Sequence, residues 1–199
     1  AVVTSEGDVV MGGNGTGCLG KIVVSAGTLN VATATKRWMI FNRGGTANGQ
    51  LDVTGGTVNL NANTDLRFST AGASVGTNVI NLNTGAITSY SGNQTGDGGG
   101  VLDLQQSAGT TSNNTFNLNG GTLAIREVLT AVNTNTSAFN FNGGTLKATG
   151  ATANFINLGG ATQTTNILAG GAVINSNGYD VTIPQALLSS GADGGLTKQ

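Results

Sequence analysis

Among the carboxylates, Asp52, Asp65, Asp97, Asp103 and Asp180 have the most chemistry to offer. Two carboxyl groups flanking a glycosidic bond can serve as acid and base, or as acid and nucleophile. Asp65 and Asp103 are the pair that repeat spacing brings closest, in equivalent strands of successive repeats. All five are expected to be solvated, outward charges, because Asp is seldom buried without partners. The one basic-aromatic cluster is Lys36-Arg37-Trp38 with Arg43. Arg37 and Arg43 suit contact with a sugar ring or an anionic glycan, through stacking and ion pairing. Strand alternation places Trp38 inward beside Ile40 and leaves Arg37 outside.

Three further motifs read as turns. Gly15-Thr16-Gly17-Cys18-Leu19-Gly20 matches G-x-G-x-x-G, but a dinucleotide site needs a helix after the glycines, and Lys21 to Ser25 read as a strand. Gly72-Ala73-Ser74-Val75-Gly76 matches the G-x-S-x-G of serine hydrolases. That chemistry needs a histidine base, and the chain has none. Gly12 to Gly17 resembles a calcium-binding nonapeptide without its aspartate, and calcium prefers several carboxylate oxygens. Cys18 is the lone cysteine and is expected to be a buried thiol. No catalytic residue, cofactor or metal ligand is assigned.

Composition narrows the class. Of 199 residues, 34 are glycine and 9% are charged, with a net charge of −1. Eight basic residues make a poor nucleic-acid surface, since phosphate binding needs clustered positive charge. Hydrophobic residues reach 38% and alternate with Thr and Asn, so the chain is built of strands rather than disordered. No apolar run approaches the ~20 residues that span a bilayer as a helix.

The elements that must position these groups recur. Ile22-Val23-Val24-Ser25-Ala26-Gly27-Thr28-Leu29 is followed by Leu51-Asp52-Val53-Thr54-Gly55-Gly56-Thr57-Val58 and by Ile80-Asn81-Leu82-Asn83-Thr84-Gly85-Ala86-Ile87. The fourth and fifth copies are Phe116-Asn117-Leu118-Asn119-Gly120-Gly121-Thr122-Leu123 and Phe139-Asn140-Phe141-Asn142-Gly143-Gly144-Thr145-Leu146. A degenerate sixth, Asn166 to Val173, places Asn166 and Leu168 inward. A ragged period of this size marks a solenoid. A second strand column holds Trp38/Ile40, Leu66/Phe68 and Leu102/Leu104, and a third holds Leu29/Val31, Val58/Leu60 and Leu123/Ile125. Residues 90–100, carrying Gly92 to Gly100, read as a Gly-rich loop inserted between strands. Inward positions then stack coil on coil, and Asp52, Asn81, Asn117 and Asn140 form a polar column able to bond along the stack. Glycines such as Gly55 and Gly56 fit the corners.

The run Thr115 to Leu123, and its copy from Ala138 to Leu146, resembles the autotransporter-associated β-strand repeat of bacterial surface and secreted proteins. By pattern the resemblance covers roughly residues 20–199. Its repeat residues here are Leu118, Asn119, Gly120 and Gly121, then Phe141, Asn142, Gly143 and Gly144, with Gly55 and Gly56. The resemblance implies a right-handed parallel β-helix, export, and an extracellular or cell-surface place. The expected fold is therefore all-β: a single parallel β-solenoid over residues 1–199, of about six to seven coils, cut from a longer protein.

The expected role is non-enzymatic: a surface fibre, stalk or adhesin passenger that joins head to tail with itself or with flanking repeats. The alternatives are a polysaccharide lyase or hydrolase with a groove along Asp65, Asp103 and the Gly92–Gly100 loop, and a glycan-binding module using Arg37 and Arg43. The register itself is testable. Leu118→Asp places a charge in the inward column and should unfold the central coils, whereas Asn117→Thr should be mild. Equal thermal melts for the two variants would contradict the register.

Overall fold

The computed structural model describes residues 1–72, 74–90, 100–108, 111–192 and 194–199. Most of the 90–100 insertion expected from the sequence lies outside the described residues. Strands β1 (Val2–Ser5), β2 (Val9–Met11) and β3 (Leu19–Val24) make the first coil. The second has β4 (Thr28–Val31), β5 (Trp38–Phe41) and β6 (Asn48–Val53), and the third β7 (Thr57–Leu60), β8 (Asp65–Phe68) and β9 (Thr77–Leu82). The fourth has β10 (Ala86–Ser89), β11 (Val101–Asp103) and β12 (Asn113–Leu118), and the fifth β13 (Thr122–Ile125), β14 (Glu127–Leu129) and β15 (Thr136–Phe141). The sixth has β16 (Thr145–Ala148), β17 (Ile156–Asn157) and β18 (Gln163–Ile167). In the seventh, β19 (Ala172–Asn175) and β20 (Leu187–Ser189) flank a single bridge from Val181 to Thr152, and β21 (Leu196–Lys198) begins another turn.

Each strand pairs in parallel with its counterpart in the next coil, every third strand up to β19 and then β18 with β20 and β19 with β21. The result is three sheets in unbroken order, of eight, six and seven strands, around one core. This is a parallel β-solenoid of about seven coils.

The core is built from columns of like residues. Leu51, Ile80, Phe116 and Phe139 pair in register and are fully buried. So do Val53, Leu82, Leu118 and Phe141. Each such side chain contributes roughly 1.5–3 kcal/mol on burial, too little per coil to offset chain ordering, so coils are stable only as a stack. The Phe116 and Phe139 rings stack at 5.3 Å, and Phe41 and Phe68 at 4.6 Å.

The polar column is hydrogen-bonded along the axis. Asn166 donates to Asn140, Asn140 to Asn117, Asn117 to Asn81 and Asn81 to Asp52, each at 2.8 Å. All the amides donate towards the N-terminal end. The coil before Asp52 offers Val23, which cannot accept. An asparagine at 52 would therefore have an idle N–H pair, whereas a carboxylate only accepts. A second ladder links Asn142 to Asn119 and Asn119 to Asn83.

Three expectations are corrected. In the sixth copy, Thr165 and Ile167 occupy the inward columns, opposite Phe139 and Phe141, and Asn166 joins the ladder. The following corner is longer: Ile167 to Val173 is six steps, while the paired Phe141 to Thr145 is four. Trp38 faces outward, and Met39 and Phe41 fill the core opposite Leu66 and Phe68. Cys18 is exposed, its thiol resting near the Thr16 carbonyl.

The Gly corners join the seven-stranded sheet to the eight-stranded one. Gly56, Gly85 and Gly121 hold φ of 74°, 82° and 66°, and a Cβ on each would collide with the carbonyl oxygen of the glycine one coil before. At the next corner the positive φ, 105°, belongs to Gly143, and Gly144 is required because a Cβ would press into the Leu118 side chain. Gly178 has nearly the same φ as Gly85, 81°, but open space around it. Gly178→Ala should cost only the left-handed penalty of roughly 1–2 kcal/mol. Gly85→Ala should lower the urea midpoint clearly further, because the Gly56 carbonyl must also move. Equal midpoints would show that the corner is not close-packed between coils.

Candidate functional site

The six-stranded sheet carries the groups with chemistry on its outer face. There β5 pairs with β8, setting Trp38 beside Asp65 and Ile40 beside Arg67. Strand β8 pairs in turn with β11, setting Arg67 beside Asp103. Arg67 turns back along its strand. Its Nε and Nη2 donate to Asp65 Oδ2 at 3.1 and 2.8 Å, and the guanidinium lies 4.6 Å from the Trp38 ring centre. Lys36 Nζ adds a second cation 3.3 Å from the same oxygen. The other oxygen, Oδ1, accepts from the Val101 backbone N–H at 3.0 Å. Asp65 is thus buried and fully engaged, contrary to the expected solvated charge.

Asp103 is buried as well. Its Oδ1 accepts from the backbone N–H groups of Gln105 and Ala131, both at 3.0 Å. Burial pushes its pKa up to about 6, and Asp65 adds to this, while those two N–H groups and Arg67 oppose it. Asp65 and Asp103 therefore do come together on adjacent coils, either side of Arg67. Each is spent on fixing backbone and cations rather than presented to a groove.

Of the other candidates, Asp52 receives Lys21 at 2.7 Å, Gln50 and the Asn81 ladder. Burial raises its pKa, but those hydrogen bonds and the Lys21 charge outweigh that and hold it below 3.8. Asp180 is exposed, and Asp97 lies outside the described residues.

The two arginines singled out from sequence part company. Arg37 Nε donates to the Glu6 carbonyl at 2.7 Å, tying the first two coils together. Arg43 is exposed and lines a surface cavity of about 460 Å³ with Trp38, Ile40, Arg67, Thr70 and Gln106. Sequence reasoning missed Arg67, a lone cation in the strand Asp65-Leu66-Arg67-Phe68. Aligning that strand on Trp38-Met39-Ile40-Phe41 by the shared phenylalanine would have found it.

The glycine motifs behave as turns. Gly15 to Gly20 runs directly into β3, and the Ser74 hydroxyl is buried, donating to the Ala71 carbonyl at 2.7 Å. The repeat residues Leu118 and Phe141 lie in the core, and Asn119 and Asn142 lie in the second ladder. No family model, curated protein or solved structure matches the chain.

The two shifted carboxyls act in opposite senses. Asp103 binds its proton more tightly folded than unfolded, so its contribution favours the fold below about pH 4 and is lost as pH rises through about 6. About two pKa units correspond to roughly 3 kcal/mol. Asp52 has a depressed pKa, so its contribution is present above about pH 4 and lost as pH falls below it. The melting temperature should therefore rise as pH is lowered from about 7 to about 4, then fall in stronger acid. Asp103→Asn should flatten the upper limb, and an unchanged upper limb would refute the assignment.

Proposed function

We propose that this chain is a structural rod segment of an exported bacterial surface protein: a stalk, fibre or adhesin passenger whose work is mechanical. The observation that carries this reading is the unbroken order of all three parallel sheets, with hydrogen-bonded side-chain ladders running along the same axis. Seven coils at the ~4.8 Å strand spacing make about 34 Å of rod. A passenger role rests on the repeat resemblance, and the outer faces supply the surface on which a binding function can be mounted.

The ends support joining to further coils. Strands β1, β2 and β3 at one end, and β20 and β21 at the other, pair on one side only. Exposed Val2, Val3 and Val23 sit at the first end, and Leu188 and Leu196 at the second. Such edges invite pairing with another strand. Head-to-tail contact between copies is heterologous and gives an open filament. Val23 and Leu188 bound the same polar column and would meet across the joint. Lys198, however, ends a column otherwise made of Val3, Leu29, Val58, Ile87, Leu123, Leu146 and Ile174, so it must swing out for a copy to seat. Flanking repeats with an apolar residue at that position would seat without this cost.

Immunogold electron microscopy of the source cells tests the reading. Label on surface structures, with a repeat along the axis that is a multiple of ~4.8 Å, is the expected result. Label confined to the cell interior would overturn it.

A further inference from the structure

The geometry points to a binding site for the carboxylate-bearing rings of an acidic polysaccharide, in the cavity between Trp38, Arg43 and Arg67 on the outer face of the six-stranded sheet. The cavity, about 460 Å³, falls within the ~300–1,000 Å³ of small-ligand sites. Its chemistry divides into three parts.

The first part is a platform. Trp38 is 38% exposed and offers an apolar surface of the kind that takes the C–H face of a pyranose, with the buried Ile40 on the same face of the strand. Arg67 holds the indole from one side, at 4.6 Å, and is itself anchored by the buried Asp65. The platform is thus fixed before a ligand arrives, which reduces the ordering cost of binding.

The second part is charge. Arg43 and Arg67 are the charged side chains that line the cavity. The Arg43 guanidinium has no partner among the described residues, so its donors are available to a carboxylate. Arg67 is partly neutralised by Asp65, and Asp8 lies nearby, accepting from the Trp38 backbone N–H at 3.1 Å. Arg43 is therefore the group that reads the anion, and Arg67 is a positioning residue for the ring.

The third part is hydroxyl recognition. Thr70 and Gln106 border the same cavity and supply hydroxyl and amide groups suited to sugar hydroxyls, while the Ser107 hydroxyl beside them donates to the Thr70 carbonyl at 2.8 Å. Arg37 takes no part, since its Nε is held by the Glu6 carbonyl. The site is independent of whether the rod sits on a cell surface, and it would fail or succeed separately.

Trp38 is the chain's single tryptophan, so its fluorescence reports on the site directly. A linear uronic-acid trisaccharide should shift or quench the emission saturably. The fully methyl-esterified trisaccharide, which keeps the rings and removes the charge, should bind about tenfold more weakly. Arg43→Ala should lose about the same factor for the acid and little for the ester, whereas Arg37→Ala should change neither by more than about twofold. Both arginine variants leave the core untouched, and their thermal melts confirm folding. Equal affinity for acid and ester, or no saturable change at Trp38, would overturn the site. Citrate binding as tightly as the trisaccharide would overturn the role of the indole platform.

Discussion

Everything in this molecule hangs on one spacing: parallel strands hydrogen-bond at ~4.8 Å, so each residue lies directly over its counterpart one coil earlier. At that distance a position can be filled only by residues that tolerate a near copy of themselves as a neighbour. Aliphatic and phenylalanine side chains satisfy this inside, where Ile80 lies under Phe116 and Phe116 under Phe139. Glycines satisfy it at the corners, where the next coil's backbone occupies the space of a Cβ. Asparagine satisfies it outside, because its amide is both donor and acceptor and can bond a copy above and a copy below. Charge does not satisfy it, since like charges directly opposite in adjacent strands repel. The 9% charged content is the compositional result.

The same spacing gives the rod a direction. Each amide in the long ladder donates towards the first coil, so the ladder needs a final acceptor with nothing to donate. Asp52 is that residue, and Lys21 and Gln50 supply the remaining bonds to its carboxylate. On the six-stranded sheet the ladder gives way to individual side chains: Trp38, Asp65, Arg67 and Asp103 share one outer face without repeating. That interruption is what allows a cavity of distinct chemistry to form on an otherwise uniform rod.

Much of the fold was legible because two signals coincide. Alternation marks the inward positions, and Gly-Gly corners fix the phase, so Leu51, Ile80, Phe116 and Phe139 could be aligned without coordinates. Where the glycine signal weakens, phase is lost. Strand β5 has no close corner glycine before it, and four consecutive large apolar residues, Trp38 to Phe41, carry no alternation. Alternation can then be read in either phase and sets Trp38 inward with Ile40, whereas the stacked Phe41 and Phe68 rings set the true phase. The sixth copy slipped for a related reason: its lengthened corner moved the glycines relative to the strand, and a threonine, Thr165, stands in a column of large apolar residues. The candidate site was less legible. Asp65 and Asp103 are buried only because Lys36, Arg67 and backbone N–H groups from neighbouring coils converge on them, and such convergence across some 30 residues leaves no local pattern.

The central claim is that the chain climbs one coil at a time in strict register. Val23 and Leu188 are exposed and bound one column, through Asp52, Asn81, Asn117, Asn140 and Asn166. Spin labels placed at Val23 and Leu188 measure that column directly, by pulsed dipolar spectroscopy. Six coil steps of ~4.8 Å predict a single distance distribution centred near about 29 Å, broadened only by the label linkers. A broad distribution, or a centre displaced by a whole coil step or more, would contradict the stack.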